Sequence, residues 1–126
     1  MNTTRQNYTE EPKPAVAPLN LPNPEITRYG IISRNNSHYS TLVLVQNRYG
    51  VHARPAAMAV KIANQYPQCK ISAEIGSVKI DATSIMDWLK SEASFGKEVR
   101  LIAKGEDCAE VLEKLVVLFN DKFYED

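Results

Sequence analysis

Lys70-Ile71-Ser72-Ala73-Glu74-Ile75-Gly76-Ser77-Val78-Lys79-Ile80 reads as two strands and the turn between them. Ile71, Ala73 and Ile75 alternate with Lys70, Ser72 and Glu74, and after Gly76-Ser77 the alternation resumes at Val78 and Ile80. A period of two gathers one set on a single face, and a two-residue turn opening on glycine joins strands that run antiparallel.

The neighbouring segments on either side need a sheet to cover. Toward the N-terminus, Leu42, Val43, Leu44 and Val45 form an apolar strand that Gly50 breaks. Ala56, Ala59, Val60 and Ala63 then recur at helical spacing, with Lys61, Asn64 and Gln65 on the other side and Pro67 at the end. Toward the C-terminus, Ser84 precedes Ile85, Met86, Trp88 and Leu89, which suit two helical turns. Val99, Leu101 and Ala103 alternate with Arg100, Ile102 and Lys104 as a fourth strand, and Gly105-Glu106-Asp107 forms the connection. Leu112, Leu115, Val116, Phe119 and Phe123 define a last helix, with Glu110 four residues before Lys114 as a surface pair and the acidic cluster at its positive end. The order is β-α-β-β-α-β-α. It predicts an α+β fold, a four-stranded antiparallel sheet with three helices on one face and water on the other.

A chain of 126 residues is enough for one modest core. Fifteen basic and fifteen acidic residues balance, so no global field favours nucleic acid or an anionic membrane. No stretch approaches the ~20 apolar residues of a membrane span, and the N-terminus lacks the apolar run of a secretory signal. Cys69 and Cys108 stand far apart with no Cys-x-x-Cys neighbour or nearby histidine, which argues against a metal site and favours a reduced, cytoplasmic chain. His38 has no ligand residue near it. Five of the seven prolines, Pro12, Pro14, Pro18, Pro22 and Pro24, fall within residues 1–40 among Asn, Thr and Ser. That segment is expected to be a disordered, solvated arm, with the folded domain at 41–126.

The chemistry concentrates in Gly50-Val51-His52-Ala53-Arg54-Pro55-Ala56-Ala57, where the first strand gives way to the first helix. Pro55 belongs in a first helical turn, so the helix should begin at about Ala53 and His52 should stand at its positive end. A phosphoryl group on that imidazole would meet free backbone donors and the helix dipole, with Arg54 adding a charge-assisted contact. On these residues alone, a helix-capping histidine beside a solvated arginine is the better-supported reading.

The same stretch resembles the active-site signature of HPr, the histidine-containing phosphocarrier family of the phosphoenolpyruvate-dependent sugar phosphotransferase system, and the similarity runs over about residues 41–124. The resemblance implies an open-faced β-sandwich and a stoichiometric carrier that is not itself an enzyme and needs no cofactor or metal. It implies that His52 accepts a phosphoryl group on Nδ1 from phosphorylated enzyme I and passes it to enzyme IIA domains, with Arg54 steadying it. Ala82-Thr83-Ser84-Ile85-Met86 is similar to the segment around the regulatory serine of HPr proteins that have an HPr kinase/phosphorylase. This makes Ser84 a candidate phosphoserine as well as a helix cap. Ile85, Met86 and Leu89 match the apolar patch that meets enzyme I and enzyme IIA. A cytoplasmic monomer is expected, without nucleic acid or membrane insertion.

Departures from the family pattern lie at Val51, where Leu or Ile is usual, and at Tyr49, Asp87 and Trp88, where a change of partner choice is expected. Glu92 falls where glycine or alanine is common, which leaves the path of that loop open. Two other readings are an HPr-like regulatory protein controlled through Ser84 and a nitrogen-related relay carrier. A histidine-dependent hydrolase is disfavoured, since no Ser or Cys nucleophile with an acidic partner accompanies His52.

Overall fold

The computed structural model describes residues 28–125. The strands are β1 (Ser33–Asn35), β2 (His38–Leu44), β3 (Lys70–Ile75), β4 (Val78–Asp81) and β5 (Glu98–Lys104), and the helices are α1 (Ala53–Ala63), α2 (Ile85–Lys90) and α3 (Ala109–Asn120). They form one antiparallel sheet in the order β1-β2-β5-β3-β4. The predicted hairpin is present, with Ile75 opposite Val78 across Gly76-Ser77.

Strand register explains where the core sits. Tyr39, Ala103 and Ile71 share one cross-strand row, Thr41, Leu101, Ala73 and Ile80 the next, and Val43 and Val99 the third. All of these are buried. Their neighbours, among them Lys104, Arg100, Glu74 and Lys79, belong to the opposite, open face. Onto the buried face α1 brings Ala56, Ala59, Val60 and Ala63, the set expected from its spacing, and α3 brings Val111, Leu112, Leu115, Leu118 and Phe119. Small residues along α1 let it lie close to both α2 and α3.

The sheet has five strands where four were expected. The added edge strand, β1, comes from the segment expected to be a disordered arm, and β2 itself begins at His38, before Thr41. Asn36 at φ +59 makes the tight turn between them, a conformation asparagine tolerates better than most residues. Ile32 and Tyr39 are buried at 6% and 5% exposure and supply the apolar contact that holds the segment in place. The remainder of the expected arm, residues 1–27, lies outside the described residues.

The cysteines are paired, which corrects the expectation of free thiols. Cys69, just before β3, and Cys108, the N-cap of α3, form a disulfide with Cα atoms 5.9 Å apart. Spacing along the chain carried no sign of it, because a 39-residue separation becomes a contact only when β5 returns the chain beside β3. Gly105 is needed here: at φ +132, a Cβ would stand 3.0 Å from Cys108 Sγ and 3.1 Å from the Gln68 carbonyl oxygen. Among the described residues no helix is long and apolar enough to cross a membrane.

Two side chains differ from the sequence pattern. Val78 is exposed, since it follows the turn on edge strand β4. Phe123 is fully buried as expected, but not as part of α3, which ends at Asn120. Lys122, Phe123 and Tyr124 take φ of +55, +55 and +60, a left-handed turn that reverses the chain. Such a conformation costs about 1–2 kcal/mol per non-glycine residue. Burial of the Phe123 ring 4.7 Å from Phe119 offsets part of it.

Candidate functional site

The end of β2 leads through Asn47 and Gly50 to the start of α1. Gly50 takes φ +69, and a Cβ there would stand 2.6 Å from the Ala93 carbonyl oxygen. Only glycine lets the loop approach the 93–94 backbone so closely. The Val51 N–H then bonds to that Ala93 oxygen at 2.9 Å, which ties the loop to the segment after α2. Val51 is itself buried, so its aliphatic side chain anchors the loop to the core.

His52 is the N-cap of α1, with extended backbone, and its side chain makes no capping bond. Its carbonyl accepts the first helical bond, from Ala56 at 2.9 Å, and Pro55 has no N–H to offer. The Ala53 and Arg54 amides therefore precede the first intrahelical bond and point from the positive end of the helix. Arg54 is exposed in the same turn. The arrangement expected from the sequence, an imidazole at a helix start with a cation beside it, is present in the fold.

A polar partner of the histidine, and the residue that holds that partner, were not anticipated. His52 Nε2 lies 2.8 Å from Glu125 Oε2. Glu125 Oε1 accepts a hydrogen bond from Asn47 Nδ2 at 3.0 Å, and the same amide donates to the Gly50 carbonyl oxygen at 2.7 Å. Both acceptors require the amide nitrogen, so the orientation of the buried Asn47 side chain is set by its neighbours. Desolvation pushes the Glu125 carboxyl up, but the bonds from Asn47 and His52 and the charges of His52 and Arg54 outweigh it and hold the group below the usual carboxylate range. Its side chain is 19% exposed and that of His52 is 42% exposed. Arg48, Tyr49, His52 and Glu125 line one shallow recess, with the Tyr49 ring edge-on to the imidazole at 6.2 Å.

A half-exposed imidazole in a shallow recess at an anion-favouring helix start suits a group handed between proteins better than a small molecule turned over in a deep pocket. Sequence comparison agrees. The profile described as the PTS HPr component phosphorylation site matches residues 39–121. The chain belongs to the PTS-HPr family.

Its HPr-family relatives include phosphocarrier protein HPr of Treponema pallidum, 38% identical over 84 residues that make up 67% of this chain and 94% of the relative. HPr-like protein Crh of Bacillus subtilis is 40% identical over 80 residues, 64% of this chain and 93% of that protein. The crystal structure of HPr-C-His from Thermoanaerobacter tengcongensis superposes with a TM-score of 0.65 at 36% identity, covering 69% of this chain and 97% of that one.

The other residues singled out as HPr-like lie at α2. Ser84 is its N-cap, and its Oγ accepts the Asp87 N–H at 3.1 Å. Replacement by alanine is expected to lower stability by about 1 kcal/mol, the usual worth of such a cap, and urea unfolding of Ser84→Ala against the parent protein measures it. Ile85, Met86 and Leu89 are exposed at 41%, 59% and 41%. Trp88 differs from the expectation that it alters partner choice: it is fully buried, tilted against Phe119, with Nε1 donating to the Ala82 carbonyl oxygen at 3.1 Å. Asp87 accepts from the Asp81 N–H at 2.9 Å and so stitches α2 to β4. Glu92 has φ +58 just past the helix, the left-handed position at which glycine is common, so the loop keeps its course at the expense of local strain.

Glu125 and Asn47 left no motif to read. The carboxylate is 73 residues from the histidine and reaches it only because the left-handed turn after α3 sends the chain back across the molecule. A buried aromatic two residues before a carboxylate was the available hint.

Proposed function

We propose that this protein accepts a phosphoryl group from phosphorylated enzyme I on His52 and passes it to enzyme IIA domains. The observation that carries the reading is His52 at the uncapped start of α1, half-exposed, with Arg54 in the same turn. Negative charge arriving on the ring is favoured by the first-turn amides, by the macrodipole and by the guanidinium together. Ile85, Met86 and Leu89 would supply the docking surface, with Met86 able to fit more than one partner. The protein works as a monomer and is a stoichiometric carrier. Ser84 is retained as a candidate phosphoserine: a dianion there would be favoured at the start of α2 but would add charge to the edge of the docking surface.

The relay can be rebuilt from purified parts. Phosphoryl label from phosphoenolpyruvate should reach enzyme IIA only when enzyme I and this protein are both present. Label that stops at enzyme I would refute the carrier role and favour the regulatory alternative, and label that stops on this protein would refute onward transfer to enzyme IIA. In the same assay Arg54→Lys should slow transfer about tenfold, which corresponds to ~1.4 kcal/mol at the transition state, while leaving the melting curve in place. Lysine keeps the charge but loses the planar fork. An unchanged rate would remove Arg54 from the mechanism.

A further inference from the structure

We propose that Glu125 is a positioning residue that selects which imidazole nitrogen of His52 carries the phosphoryl group. The proposal rests on the phosphocarrier reading and deepens it. An ionised carboxylate is an acceptor only, so the 2.8 Å contact with Nε2 requires a hydrogen on that nitrogen. In the neutral ring the lone pair is then confined to Nδ1, the nitrogen left to attack. Asn47, fully buried and fixed by the Gly50 carbonyl, holds the other carboxylate oxygen, so Glu125 cannot swing freely about its own stem. The buried Phe123 anchors the tail that delivers it.

The charge balance follows from the same contact. As the Nδ1 lone pair forms the N–P bond, the bond between phosphorus and its leaving group breaks and that group departs with the electron pair. The ring keeps its Nε2–H and becomes cationic. Glu125 is already beside the nitrogen that shares this charge, so it serves as counter-ion to the phosphorylated ring. When the phosphoryl group moves on, the N–P bond breaks, its electron pair returns to Nδ1, and the neutral Nε2–H tautomer is restored.

A partner-free experiment isolates this role from the relay. The full-length protein with His38→Gln, so that His52 is the only imidazole, is labelled with ¹⁵N-histidine and phosphorylated by phosphoramidate. NMR then reports the tautomer before reaction and the phosphorylated nitrogen after it. With Glu125 present, the expected result is the Nε2–H tautomer and an adduct on Nδ1. Glu125→Ala should give mixed tautomers and mixed adducts. Glu125→Gln keeps the tail's shape but has one acceptor oxygen for the two donors Asn47 Nδ2–H and Nε2–H, and no charge, so it should react about tenfold more slowly, having lost the counter-ion. An unchanged tautomer and adduct in a folded Glu125→Ala protein overturns the proposal. If that variant does not fold, a Gln variant reacting at the parent rate overturns it instead. Because enzyme I takes no part, loss of the relay with these results intact would count against the carrier reading alone.

Discussion

His52→Ala is expected to leave a folded protein that takes up no phosphoryl group from phosphoenolpyruvate and enzyme I. The side chain is 42% exposed and buries little apolar surface, so its removal opens no cavity in the core. What is lost to stability is its hydrogen bond to Glu125, and a bond of this kind contributes about 1 kcal/mol. The change in unfolding free energy should stay within that figure. Phosphorylation, by contrast, loses its acceptor atom entirely, since Arg54 and the first-turn amides can bind a phosphoryl group but cannot form the N–P bond. Intact-mass analysis beside a urea titration measures both. Labelling of the folded variant at the parent level would place the acceptor elsewhere.

Reducing the Cys69–Cys108 disulfide, or replacing both cysteines by serine, is expected to lower stability by roughly 4 kcal/mol, the chain-entropy value for cross-linking residues 39 apart. That is a large share of the ~5–15 kcal/mol available to a domain of this size. The strand register separates this effect from function. Lys104 and Lys70 pair at the end of the sheet beside the disulfide, whereas Leu44 and Glu98 pair at the end from which the chain continues to His52. At a temperature where the reduced protein is still folded, its phosphorylation rate should therefore equal that of the oxidised form. Urea midpoints with and without reductant, each paired with a transfer rate, test both halves. Equal midpoints would show that the bond contributes nothing, and a lower rate would show that it reaches the site.

Local patterns in the sequence were enough for most of the architecture. The alternation in β3, β4 and β5 and the spacing in α1 each report burial against near neighbours in the chain, so they were legible without knowledge of the whole fold. The extra strand was not. Pro-rich surroundings masked Ile32 and Tyr39, and β1 is too short at Ser33–Asn35 to show a period. The end of α3 was overrun for a related reason: Phe123 continues the helical spacing from Phe119, yet reaches the core through a left-handed turn that spacing does not distinguish.

At the site, His52 and Arg54 were legible because helix-start chemistry is local, with Pro55 marking the first turn. Glu125, Asn47 and the disulfide depend on contacts that only tertiary structure creates. Trp88 shows the opposite difficulty. Its neighbours Ile85, Met86 and Leu89 are exposed, and in a helix of six residues the sequence alone does not say which apolar side chain turns inward.

The most direct test of the central claim is to locate the phosphoryl group itself. The protein is incubated with phosphoenolpyruvate and enzyme I, kept alkaline, and digested for mass spectrometry, with a parallel sample treated with acid. The account predicts one phosphoryl group on the peptide containing His52, lost on acid treatment and absent when enzyme I is omitted. An acid-stable phosphoryl group on another residue, or none at all on the folded protein, would contradict it.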